Sequence, residues 1–299
     1  MTESKPASAR APISPAGLMF LAITSVGWGL NWPIMKHILT EWPPLSTRGL
    51  NGVVGGALLA AFALTRGESL LVPAGQWPRL LLSAFLNVTT WMTLMGLALL
   101  WLPANEAVVL AYTMPIWTAL LAWPLLREPM SVTRILALLM AFAGIAALTG
   151  ADGFEASLDK LPGIVMVLVG AFIFGLGTIT AKRLPLAMPL ISSSALQIGL
   201  GCVPVALAGL WFEHPRIAAL SSLGWALMAY MTIIQFCVAY VCWFAALARL
   251  PASVAAIGTM AVPVIGVVTA AVALHEPLGP GQIAALIFTL AGVVLATRS

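Results

Sequence analysis

The sequence predicts an all-α integral membrane protein, ten transmembrane helices in two five-helix repeats of inverted topology. Three observations predict it. Of 299 residues, 61% are apolar, 8% are charged, and mean hydropathy is +1.02, whereas a soluble domain has roughly a quarter of its residues charged. Apolar windows near the spanning length of about 20 residues recur ten times between proline- and glycine-rich breaks. The second half of the chain also repeats the first.

Residues 1–15 carry Lys5, Arg10 and three prolines and read as a cytoplasmic tail. The first repeat, 16–150, holds apolar windows at 16–36, 45–65, 79–100, 104–125 and 132–150. The first window is too long for a signal-peptide core and reads as an uncleaved helix. Residues 151–160 form a polar outer loop that links the repeats. The second repeat, 161–299, holds windows at 162–182, 189–211, 221–247, 252–274 and 280–297. Pro44, Pro103, Pro189, Pro251 and Pro280 fall near window starts, where a missing backbone donor costs little.

Charge sets the orientation. Lys5, Arg10, Arg66, Arg79, Arg127, Arg134, Lys182, Arg183, Arg249 and Arg298 fall on one side; Lys36, Arg48, Lys160 and Arg216 fall on the other. The richer side is cytoplasmic, which places both termini inside a bacterial inner membrane. Lys36 and Lys182 lie near span ends and read as snorkelling. The basic residues are scattered singly, so the pI near 9.3 implies no nucleic-acid partner. Trp42, Trp77, Trp101, Trp211 and Trp225 sit near span ends and read as headgroup anchors. Cys202, Cys237 and Cys242 lie within apolar windows and form no disulfide framework.

The repeat is direct. At an offset of 148, Leu102-Pro103-Ala104 reappears as Leu250-Pro251-Ala252, Pro115 meets Pro263, and Glu128-Pro129 meets Glu276-Pro277. Ala143-Gly144 meets Ala291-Gly292, and about 15 of 48 pairs from Leu102 to Thr149 are identical. Upstream, two residues out of step, Trp28-Gly29 aligns with Phe174-Gly175 and Lys36 with Lys182. Five helices per half is an odd number, so the second half enters from the opposite side, the arrangement of alternating-access carriers. These features resemble the ten-helix EamA-type members of the drug/metabolite transporter superfamily, and within it the bacterial YddG-type aromatic amino-acid exporters. The resemblance implies a cavity lined by helices one, three, four, six, eight and nine, opening to alternate sides, and it implies export. The chain departs from strict symmetry at Arg127, whose counterpart is His275.

Candidate substrate contacts are neutral polar groups beside aromatics. Asn87, Trp91 and Met95 share a face of helix three; their counterparts on helix eight are Gln235, Ala239 and Trp243. Helix one offers Trp28 and Asn31 on a face that also holds Trp32, helix six Phe174 and Thr178, helix four Tyr112, Thr113 and Trp117, and helix eight also Tyr240. Asn87 and Gln235 could equally bond neighbouring helices. Pro115 and Pro263 free a carbonyl four residues back and, with Gly29 and Gly175, read as hinges. All ten acidic residues fall in tails, loops or near span ends, which speaks against a buried-carboxylate proton relay. Glu106, at the start of helix four, reads as an acid favoured by the helix dipole. The sequence holds no paired carboxylates or His-rich ligand spacing, so no enzyme activity, metal or cofactor is expected. The expectation is a carrier of neutral or zwitterionic solutes, aromatic or hydrophobic amino acids, with membrane lipid as its surroundings; nothing requires more than a monomer. Drug or nucleotide-sugar carriage on the same fold is the alternative, and a membrane enzyme on lipid-linked substrates the third.

Overall fold

Each apolar window between these breaks becomes a helix, because in lipid a backbone amide finds its partner only within its own segment. The computed structural model describes residues 14–126, 132–151, 154–247, 249–250 and 259–297. The chain ends, Arg127, the Glu128-Pro129 pair and Pro251-Ala252 lie outside these residues. The described helices group as α1 Pro15–Ile38, α2 Pro44–Thr65, α3 Trp77–Ala98, α4 Ala104–Leu125, α5 Val132–Ala151, α6 Phe154–Arg183, α7 Leu190–Glu213, α8 Ser222–Ala246, α9 Ala261–Leu274 and α10 Pro280–Thr297. Seven of them (α1 to α4 and α6 to α8) are long and apolar enough to cross a membrane, and α9 and α10 are shorter apolar helices.

One boundary differs from the sequence reading. The outer loop assigned to 151–160 is largely helical, since α6 begins at Phe154. Hydropathy counts only apolar letters, so a helix that projects past the hydrocarbon with Asp159 and Lys160 on it reads as a loop.

Packing follows the repeat. Helix α2 packs along α7 and α5 along α10, while α1 packs on α8 and α9 as α6 packs on α3 and α4. Exchange of the two halves maps this set onto itself. The relation extends to single atoms. Glu213, closing α7, accepts hydrogen bonds from the backbone N–H groups of Leu45 and Ser46 and from the Ser46 hydroxyl, at 2.7 to 2.9 Å. Glu68, just beyond α2, accepts from the N–H and hydroxyl of Ser192 at 3.0 Å. Each carboxylate caps the helix that carries the other, where orphan amides and the dipole favour a negative charge.

The two ends of the bundle differ. At the end holding Ile38, Lys36 Nζ donates to the carbonyls of Leu99 and Leu102 beyond α3, so it does not snorkel. Glu106 meets Lys160 at 2.8 Å and Gln282 at 3.3 Å. Glu276 accepts from the N–H groups of Ala104 and Asn105. Trp42, read as a headgroup anchor, is instead buried and donates from Nε1 to the Arg216 carbonyl at 2.8 Å. Trp77, Trp101, Trp211 and Trp225 are exposed, as anchors are. On α1, Trp32, Met35 and Ile38 are buried near this end, whereas their repeat counterparts, Thr178 and Ala181 on α6 and Leu184 just beyond it, are exposed near the other. The bundle is therefore closed at the Lys36 end.

Candidate substrate cavity

The site begins with two local irregularities. Helix α3 widens into a π turn over Phe85–Thr89, and α8 does so over Met231–Val238. Asn87 and Gln235, repeat counterparts, sit in these turns. A π turn leaves carbonyls without their usual amide, and such turns occur often at functional sites. Here Thr89 Oγ1 donates to the carbonyls of Gly201 at 2.7 Å and Ala84 at 3.5 Å. Its counterpart Cys237 points Sγ at the carbonyls of Gly55 at 3.6 Å and Thr232 at 3.4 Å. The same three positions are used in both halves, so the bulges belong to the repeated design.

Between the turns lies a cavity of about 120 Å³. Of the expected contacts it gathers Trp28 and Asn31 from α1, Asn87 and Trp91 from α3, Tyr112 from α4, Phe174 from α6, and Gln235 and Tyr240 from α8. Two aromatic walls face it. Trp28 meets Tyr240 edge-on with centroids 5.4 Å apart, and Trp91 meets Phe174 at 5.0 Å. These are the α1–α8 and α3–α6 contacts that the repeat relates.

Five expected contacts fall elsewhere. Met95 is fully buried and fills the space over Gly170. Thr113 donates to the Leu110 carbonyl and accepts from Trp117 Nε1, while the Trp117 ring packs edge-on against Phe172. Thr178 donates to the Phe174 carbonyl and is exposed. Trp243 stands behind Trp28 at 5.9 Å. Spacing by four places residues on one face, but it cannot tell a cavity wall from the layer behind it.

The expected hinge residues lie at a helix break, a helix start and two close crossings. Helix α4 is interrupted at Tyr112 and Thr113, directly before Met114-Pro115, where the Thr113 N–H turns to the Leu110 carbonyl at 3.1 Å. Helix α9 starts at Ala261, two residues before Pro263, with the Val262 N–H bonded to the Thr259 carbonyl. Gly29 lies against Ile265 of α9, and Gly175 against Thr118 of α4. A side chain at either position would push apart repeat-related helix crossings.

Trp32, on the helix-one face read from the sequence, also lines the hollow, and sequence reasoning missed three further lining residues: Arg48, Met92 and Met114. Arg48 is the consequential one. Counted above as an outer-side charge, it stands in the first turns of α2, is 2% exposed and lines the cavity. The hollow is therefore not uncharged. No carboxylate lines the cavity; Arg48 Nη1 lies 4.0 Å from Met92 Sδ, and Nε has no partner. A buried, unpaired charge costs several kcal/mol, which calls for a compensating ligand or role. Its sequence signal was faint: a basic residue one turn inside a span reads equally as a headgroup contact. A larger crevice of about 490 Å³ runs between α1, α8 and α9. Its walls are mostly aliphatic, Leu30, Ile34, Leu227 and Val268 among them, and they offer little to orient a polar solute.

Comparison with known proteins bears on the fold and its two repeats. The model of the EamA-like transporter family matches the chain twice, over residues 15–150 and 161–298. An uncharacterized transporter of Bacillus subtilis (strain 168), YvbV, is 29% identical over 282 residues, spanning 93% of this chain and 90% of its own. A probable amino-acid metabolite efflux pump of Salmonella typhimurium is 25% identical over 301 residues, covering 92% of this chain and 93% of its own. A solved crystal structure shares the fold with a TM-score of 0.66 at 22% identity, covering 95% of this chain and 98% of that one.

Proposed function

The chain belongs to the EamA-like transporter family, and from that premise we propose that it exports aromatic and hydrophobic amino acids and related metabolites by alternating access. That it is a membrane transporter of a small molecule follows from the family; substrate, direction and mechanism are our reading. The observation that carries this reading is the cavity itself, in which each half contributes an amide from a π turn and an aromatic wall. Trp28, Asn31, Asn87, Trp91, Tyr112, Phe174, Gln235 and Tyr240 bind the solute. Apolar side chains gain roughly 25 cal/mol per Å² of surface buried there, and rings gain more by edge contacts.

Several observations support the finer points. The Salmonella relative is named for amino-acid metabolite efflux, and the resemblance to YddG-type exporters points the same way. The cavity of about 120 Å³ is well under the 300–1,000 Å³ of drug-sized pockets, which favours an amino acid over a nucleotide sugar. The lysine and arginine bias puts the closed Lys36 end outside, both termini in the cytoplasm, and the structure in an inward-facing state. Repeat boundaries near 150 and 161, with Pro115, Pro263, Gly29 and Gly175 as pivots, complete the proposal.

The test is exchange in proteoliposomes holding purified protein. Labelled phenylalanine, tryptophan and leucine exit into excess unlabelled substrate, with and without an imposed proton gradient. We expect saturable exchange that aromatic amino acids inhibit and UDP-sugars do not. Exchange of a nucleotide sugar with no response to amino acids refutes the proposal.

A further inference from the structure

Three buried polar groups in the cavity lack partners within the protein, and they differ in kind. Arg48 presents a guanidinium with Nε unsatisfied; Asn31 Oδ1 and Gln235 Oε1 are acceptors with nothing to accept from. All three side chains are at least nine-tenths buried and line the same hollow. They come from α2, α1 and α8, so the set exists only in the folded bundle. Buried polar atoms are nearly always satisfied, and an orphan donor beside two orphan acceptors describes the complement of a molecule carrying both a negative and a positive group.

We infer that Arg48 receives the carboxylate of the transported solute while the amide oxygens of Asn31 and Gln235 receive its ammonium, so that the site selects α-amino acids over amines, amides and simple carboxylates. The inference rests on the amino-acid reading above and adds the residue that enforces it. A guanidinium keeps its charge when buried and binds a carboxylate through two parallel hydrogen bonds. Met92, the present neighbour of Arg48 through Sδ at 4.0 Å, is a weak and displaceable acceptor. No carboxylate of the cavity competes for the guanidinium, and among the described residues no aromatic ring face takes it; the cation–ring contact seen is Arg249 over Phe20. The aromatic walls at Trp28–Tyr240 and Trp91–Phe174 then enclose the side chain. The guanidinium and the two amides read the charges that all amino acids share, and the walls read the part that differs.

The experiment is competition against labelled phenylalanine exchange in proteoliposomes by phenylalanine, phenylalaninamide, phenethylamine and 3-phenylpropionate, for the unmodified protein and for Arg48→Gln and Arg48→Lys. We expect the unmodified protein to prefer phenylalanine to its amide by at least about 30-fold, the loss typical when one partner of a buried charge pair is removed. Arg48→Gln abolishes that preference, and Arg48→Lys retains part of it because the charge survives without the fork. Monodisperse elution in detergent separates loss of the site from loss of the fold. If Arg48→Gln misfolds, the ligand series on the unmodified protein with Arg48→Lys decides the matter. Equal competition by phenylalanine and its amide in the unmodified protein overturns the inference, as does an undiminished preference in Arg48→Gln; both leave the amino-acid carrier standing. Failure of the unmodified protein to exchange any amino acid removes both.

Discussion

Asn87 and Gln235 are legible in sequence because an amide at matching depth in two repeats is rare in lipid-embedded helices, and the fold does bring both to one cavity. Trp28, Trp91, Phe174 and Tyr240 were read as aromatics on the apolar helix faces beside those amides, and they line the same cavity. Arg48 was not, because position along a helix does not reveal which way a side chain faces, and only burial separates a cavity cation from a headgroup contact. Thr178 and Trp117 mark the opposite error: the face was right and the layer wrong. At this scale the aromatic walls make a clear prediction. Trp28→Leu or Trp91→Leu removes an edge contact worth about 0.5–1.5 kcal/mol. Phenylalanine affinity, read from exchange half-saturation, falls about 2- to 12-fold while leucine affinity changes little. An equal loss for both amino acids shows that the tryptophans support the fold rather than the ring.

Helices show where hydropathy reading ends. It located the apolar helices and the proline starts at Pro44, Pro103, Pro189 and Pro280, since both depend on composition alone. The π turns were invisible to it, because one extra residue in a turn alters no residue type. The capping carboxylates escaped it for another reason: Glu68 and Glu213 each act on a helix more than 100 residues distant in sequence. We expect Glu68→Ala and Glu213→Ala each to cost about 0.5–2 kcal/mol, the usual range for a lost N-cap. The double variant adds the two losses, because the caps lie at opposite ends of the bundle; thermal unfolding in detergent checks both. Glu41 offers a pH counterpart at the α1–α8 junction. Hydrogen bonds from the Ser221 N–H and hydroxyl hold its carboxyl below the ordinary carboxylate range. The tie is intact at neutral pH and is lost as pH falls through that lowered value, an acid-side loss of stability that Glu41→Gln abolishes. The helix break before Pro115 and the helix start before Pro263 predict that Pro115→Ala with Pro263→Ala slows exchange and leaves membrane insertion unchanged. Unaltered flux removes the pivots from the account.

Across the whole molecule, two halves of similar sequence hold dissimilar environments. Met35 is fully buried and its counterpart Ala181 is exposed. Lys36, Glu106 with Lys160, and Glu276 fasten the closed end. At two of these positions the other half has no matching residue: Val254 stands where the repeat places Glu106, and Ser14 where it places Lys160. Inversion was readable from the odd helix number and the positive charge bias, but the state was not, since either face can close with the same sequence. The direct test is thiol labelling at Met35→Cys and Ala181→Cys, each in a background with Cys202, Cys237 and Cys242 replaced by alanine, using an impermeant reagent on oriented vesicles. The account predicts that at rest Ala181→Cys labels from the cytoplasmic side and Met35→Cys is protected. Excess substrate outside reverses the pair, with Met35→Cys gaining outer reactivity as Ala181→Cys loses its own. Labelling of both positions from one side, or reactivity that substrate leaves unchanged at both, contradicts it.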